Sequence, residues 1–255
     1  MTVVHRLAEY EEGCFYIERP AEFRANGYLS FEDTEECFDF AYDMTFGREG
    51  QHRSRRSGGQ SDRRNGEIFI DTFQGKLAEY AFYNVFKNSD ADIEPPDTST
   101  MGLSEWDTCD FTVNGYEIAI KSTKFFGNLL LLETKDWVED GRYIPNYSNG
   151  CCEYDYFVLE RIRPEGTTMM KENRWLYSDD LDYGILKDAI LSQDWEANLV
   201  GYISREEFVT EVIDKCQILP QNSMLNGRTR MDAENYYVQA GDLHPMNEFI
   251  RMVFS

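Results

Sequence analysis

Apolar and polar positions alternate on both sides of Asn114-Gly115, within Asp110-Phe111-Thr112-Val113-Asn114-Gly115-Tyr116-Glu117-Ile118-Ala119-Ile120-Lys121. Asn-Gly between alternating runs predicts a β-hairpin with a two-residue type I′ turn, because both central positions need positive φ. Such a turn sets the register. Val113 falls opposite Tyr116, Thr112 opposite Glu117, Phe111 opposite Ile118 and Asp110 opposite Ala119. With a side-chain period of two, Asp110, Thr112, Glu117, Ala119 and Lys121 share one face, and Phe111, Val113, Ile118 and Ile120 share the other. The second face reads as core, the first as the face that carries chemistry.

Other segments follow different periods. Gly75 to Phe86 (GKLAEYAFYNVF) places Leu77, Ala78, Ala81, Phe82 and Val85 on one stripe, which predicts a helix capped by Asp71 or Thr72, with Glu79 beside the stripe. A helix is also predicted from about Thr34 to Met44, with Phe38, Ala41 and Tyr42 inward. Residues 128–133 (NLLLLE) read as a strand buried on both faces, with helix as the alternative for so short a run. Residues 154–162 and 199–203 read as further strands. Ser204 to Glu207 (SREE) forms a capping box for a helix with Phe208, Val212 and Ile213 on its apolar side. Together these predict an α/β fold, a central mixed β-sheet flanked by helices, in one domain spanning 1–255.

A helix Glu, then a strand Asp, then a strand Lys resembles the PD-(D/E)XK nuclease superfamily. Its hallmark is an Asp on one strand followed by an acid, any residue, and a Lys on the next. The resemblance covers about Gly75 to Lys124 and implies a restriction-endonuclease-like core at about 67–165, with residues 195–255 as an accessory or dimerisation part. It makes Asp110 the first metal-binding carboxylate, Lys121 the catalytic lysine and Glu79 a further metal-site or water-binding carboxylate. Ala119 stands where the central acid belongs. Cross-strand pairing places that position beside Asp110, which favours deliberate replacement of an acid over natural loss. Glu117 is a competing ligand, but two residues along a strand is roughly 6.6 Å, far beyond a coordination distance of about 2 Å.

The implied cofactor is Mg2+, held by the carboxylates and the Ile120 carbonyl and stabilising charge around phosphorus, with Lys121 orienting the attacking water. The implied activity is sequence-specific cleavage of double-stranded DNA, most like a type II restriction endonuclease acting as a homodimer, in a form inactivated at position 119.

Charge qualifies that expectation. Forty-seven acids against 25 bases give a net charge of −22, which opposes non-specific nucleic-acid binding. Yet residues 47–64 (GREGQHRSRRSGGQSDRR) are rich in Arg, so 47–66 reads as a basic loop in which Arg53, Arg55, Arg56, Arg63 and Arg64 hold DNA and His52 adds a contact. Ser122 and Lys124 are candidates for the adjacent backbone. Residues 220–230 (PQNSMLNGRTR) read as a loop for a DNA or subunit contact.

The six Cys lack CxxC spacing and His partners, and vicinal Cys151-Cys152 reads as a reduced pair. No apolar run reaches the roughly 20 residues of a membrane span, and no Gly-rich phosphate loop points to a nucleotide cofactor. A cytoplasmic location is therefore expected. Two other classes stay open: a catalytically inert DNA-binding protein of nuclease ancestry, and an acidic DNA mimic that inhibits a DNA-binding enzyme.

Overall fold

The computed structural model describes residues 3–47, 63–98, 110–144 and 153–254. The N-terminal segment forms a short hairpin, β1 (Ala8–Glu11) and β2 (Cys14–Tyr16). Helix α1 (Phe31–Phe46) follows, longer at both ends than the expected 34–44. Its start is fixed by Ser30, whose hydroxyl accepts from the Asp33 N–H at 3.1 Å while the Asp33 carboxylate accepts from the Ser30 N–H at 2.8 Å. Phe38 and Ala41 are buried as the stripe requires.

Helix α2 (Asn65–Phe86) begins ten residues before the expected Gly75, a correction with a clear cause. Ile68, Phe69, Ile70 and Phe73 continue its apolar surface toward the N-terminus. Arg64 N–H is satisfied by the Glu67 carboxylate at 3.0 Å, so the capping chemistry sits there and not at Asp71 or Thr72. Gly75 is tolerated mid-helix because it faces open space. Gly66, by contrast, packs where any Cβ would collide with the Trp175 carbonyl. Residues 65 and 66 thus belong to the helix, not to the basic loop.

The central sheet is mixed. The hairpin strands β3 (Phe111–Val113) and β4 (Tyr116–Lys124) are antiparallel. After β5 (Leu129–Glu133), which leaves for a second sheet, β6 (Tyr156–Arg163) returns parallel to β4. Short helices α3 (Gly166–Glu172) and α4 (Tyr183–Leu191) lead to β7 (Glu196–Ser204), antiparallel to β6. The order is β3-β4-β6-β7.

The expected capping box at Ser204 forms, opening a short helix α5 (Arg205–Glu207) that runs on as a wider π-helical stretch, Phe208–Ile213, with Phe208, Val212 and Ile213 buried. Next come β8 (Ile218–Leu219), β9 (Met224–Leu225), β10 (Thr229–Arg230) and β11 (Asn235–Gln239), then helix α6 (Met246–Val253). The expected loop 220–230 therefore contains a hairpin, β9 to β10, turned by Asn226 and Gly227 at φ 51° and 65°. Strand β11 is the middle of the second sheet, β5-β11-β8, and β7 belongs to the central one. From residue 195 onward the chain thus supplies β7 to the central sheet and β8 and β11 to the second.

These are α/β layers with mixed sheets flanked by helices. One apolar cluster lies between the central sheet and helices α1 and α2, using Ile118, Ile120, Val158, Ile162, Leu77 and Phe82 among others. The opposite face meets the second sheet through Ala119, Phe157, Leu159, Leu130, Leu132 and Val238. Among the described residues no helix is long and apolar enough to cross a membrane.

Candidate functional site

The hairpin turns at Asn114 and Gly115, φ 49° and 87°, in the register that the turn dictates: Phe111 with Ile118, Thr112 with Glu117, Val113 with Tyr116. Strand β3 starts one residue after Asp110. The Asp110 carboxylate extends the ladder past that start by accepting the Ile120 N–H at 2.7 Å. Glu117 is tied at its backbone to Asp155, N–H to carboxylate at 2.9 Å.

Ala119 is fully buried, on the side of β4 that faces Phe157, Leu159 and Leu130. The reading of this face as open for chemistry is corrected at this position. Over residues 118–120 both faces of β4 are covered, one on the side of α2 and the other by the second sheet.

Lys121 stands further along the strand, in register with Leu159. It lines a cleft of about 310 Å3 with Ile120, Ser122, Thr123, Leu129, Leu131 and Leu159. Glu79 does not join it. Glu79 projects from α2 on the other side of the sheet, where Lys76 Nζ lies 2.5 Å from its carboxylate and its charge acts on Glu160 and Cys37. The expected convergence of Glu79 with Asp110 and Lys121 around position 119 is therefore not what the geometry brings together.

The fit of Mg2+ at that position follows from the same facts. Ala119 offers no oxygen, and among the described residues no three His, Cys, Asp or Glu side chains gather as a metal-holding group. Position 119 therefore contributes no side-chain ligand to the expected set of Asp110, Glu79 and the Ile120 carbonyl.

Of the expected DNA-binding residues, Arg53, Arg55, Arg56 and His52 lie outside the described residues, as do Cys151 and Cys152. Arg63 pairs with Asp71 at 3.0 Å and Arg64 with Asp179 at 2.7 Å. Lys124 pairs with Glu165 and sits 5.8 Å over the Phe126 ring. Of these pairs Arg64 with Asp179 is exposed on both sides, the kind worth roughly 0 to 1 kcal/mol. Ser122 is exposed.

Sequence reasoning passed over Glu160. It sits in β6 fully buried, with neither carboxylate oxygen hydrogen-bonded among the described residues. Burial, and then the charge of Glu79, push its carboxyl well above the usual range. The available signal was an acid inside the apolar run Tyr156 to Ile162.

Comparison with protein families, with curated proteins and with solved structures finds no match to this chain.

Proposed function

We propose that this chain is a DNA-binding protein on a restriction-endonuclease-like core whose cleavage site is closed, so that it holds duplex DNA without hydrolysing it. The observation that carries this reading is the complete burial of Ala119 among apolar side chains, between Asp110 and Lys121. An acid at that position would be ionised at neutral pH in water but surrounded here by Phe157, Leu159 and Leu130, which the methyl group of Ala suits. The packing thus supports natural loss over deliberate replacement.

The binding surface in this reading combines the Arg-rich stretch before α2 with Lys121 and Ser122 at the cleft. The net charge of −22 then suppresses loose binding elsewhere and leaves affinity to the local basic residues. Engagement of a symmetric site by a homodimer belongs to the same proposal. An acidic DNA mimic is less well supported, since it leaves the Arg-rich stretch without a role.

The test is fluorescence anisotropy on a mixed-sequence duplex across a salt series. Binding should weaken steeply with salt. The triple variant Arg53→Ala, Arg55→Ala, Arg56→Ala should reduce the slope of log K against log salt by roughly 2 to 3, given about 0.9 per phosphate contact. Absence of binding at about 50 mM salt, or an unchanged slope in the triple variant, would contradict the assignment.

A further inference from the structure

We propose that the cleft beside Lys121 is a binding site for a small monocarboxylate with an apolar body. Four consecutive residues of β4, 120–123, line it together with Leu129 and Leu131 of β5 and Leu159 of β6. Its volume of about 310 Å3 falls at the small end of the range that ligand sites occupy, about 300 to 1,000 Å3.

The cleft lies where two strand edges run out of partners among the described residues. Strand β3 pairs with β4 only from Tyr116 to Ile118, and the Asp110 carboxylate then takes the Ile120 N–H at 2.7 Å. Strand β5 is the terminal strand of the second sheet. Directions along a strand repeat every two residues, so the Ser122 N–H points to the same edge as the Ile120 N–H.

The lining has a charged half and an apolar half. Lys76, Lys124, Lys135, Lys187 and Lys215 each stand against a carboxylate. Lys121 is partly buried and, among the described residues, has no acid, hydrogen-bond or ring partner. In a chain of net charge −22, it is a cation left open beside a cavity. Thr123 shares its face of β4, and the hydroxyls of Ser122 and Thr123 are likewise without a partner among the described residues. These groups and the edge N–H are donors suited to a carboxylate. The three leucines and Ile120 are the apolar half.

The two halves select the class of ligand. One ammonium balances one negative charge, which favours a monoanion over a phosphate monoester or a dicarboxylate. A bare anion would leave the leucines uncovered, and an uncharged apolar molecule would leave Lys121 without a counter-charge. DNA in the proposed function would draw on the same ammonium, but the site does not rest on that reading.

The experiment titrates the full chain with octanoate by isothermal titration calorimetry in the absence of DNA, and repeats the titration with acetate and with octanol. One octanoate per chain is expected, with a Kd on the order of 0.1 to 1 mM. Acetate and octanol, each carrying one half of the ligand, should not saturate the chain over the same concentrations. Lys121→Met keeps the apolar stem and removes the charge, and should weaken octanoate binding by about tenfold. The comparison of three probes on the unsubstituted chain decides the matter even if that variant fails to fold. No saturable binding of octanoate, acetate or octanol binding as tightly as octanoate, or an unchanged affinity in a folded Lys121→Met would overturn the proposal. With no DNA present, such a failure is distinct from failure of the salt-series test.

Discussion

Replacing Ala119 by Glu is expected to destabilise the protein by about 3 to 5 kcal/mol and to yield no Mg2+-dependent cleavage of DNA. The position is fully buried among Phe157, Leu159 and Leu130, where a carboxylate finds neither water nor a cation. Burial would raise its pKa in the folded state above the unfolded value of about 4.3. A group whose folded pKa is raised leaves stability intact below its unfolded pKa and removes it as pH rises. The deficit relative to the unsubstituted chain should therefore be smallest near pH 4 and grow toward pH 7, provided both forms remain folded at the acid end. Urea unfolding at several pH values measures it. A variant as stable as the parent at pH 7, and able to cut DNA, would show that the second sheet does not seal this position.

Arg161→Ala is expected to cost about 3 kcal/mol, from buried acceptors left without a donor. Arg161 is 1% exposed, and among the described residues no carboxylate pairs with it. Its charge is spread instead over Asn198 and the carbonyls of Ala21 and Glu22. Those carbonyls belong to the segment that crosses β7, where the N–H groups of Asn26 and Gly27 reach the Ala197 carbonyl at 3.1 and 3.0 Å. Losing the guanidinium should loosen that crossing before the whole chain unfolds. Amide exchange at Asn26 and Gly27 should accelerate along with the drop in urea midpoint. A loss under about 1 kcal/mol, within the range of ordinary hydrogen bonds, would mean that water replaces the guanidinium there.

The hairpin was legible because Asn-Gly determines the turn and the turn determines the pairing, all within a dozen residues. Strands β6 and β7 and the Ser204 capping box were legible for the same reason, each being a local pattern. Helix α2 is truncated in the sequence reading because the apolar stripe is followed only from Leu77, although Ile68, Phe69, Ile70 and Phe73 carry it further back. In the fold Gly75 faces open space and interrupts nothing.

The face assignment at Ala119 failed for a different reason. Alternation says which residues share a face, but not what covers it. The cover comes from β5 and β11, whose pairing of Leu130 with Val238 joins segments more than a hundred residues apart. Glu160 was missed on similar grounds. An acid in a strand reads as solvent-facing until partners on both edges and a helix above enclose it. The Arg-rich stretch was legible only as composition, and the pairs of Arg63 with Asp71 and Arg64 with Asp179 depend on tertiary neighbours.

In the proposed function, DNA is held beside a position that carries Ala where cleavage would need an acid. Incubating the unsubstituted chain with supercoiled plasmid in Mg2+, and separately in Mn2+, measures binding by gel shift and cleavage after protein removal on the same samples. Retarded complexes and intact supercoiled DNA are the predicted result; nicked or linear product from the purified chain, or no retardation at low salt, would contradict it.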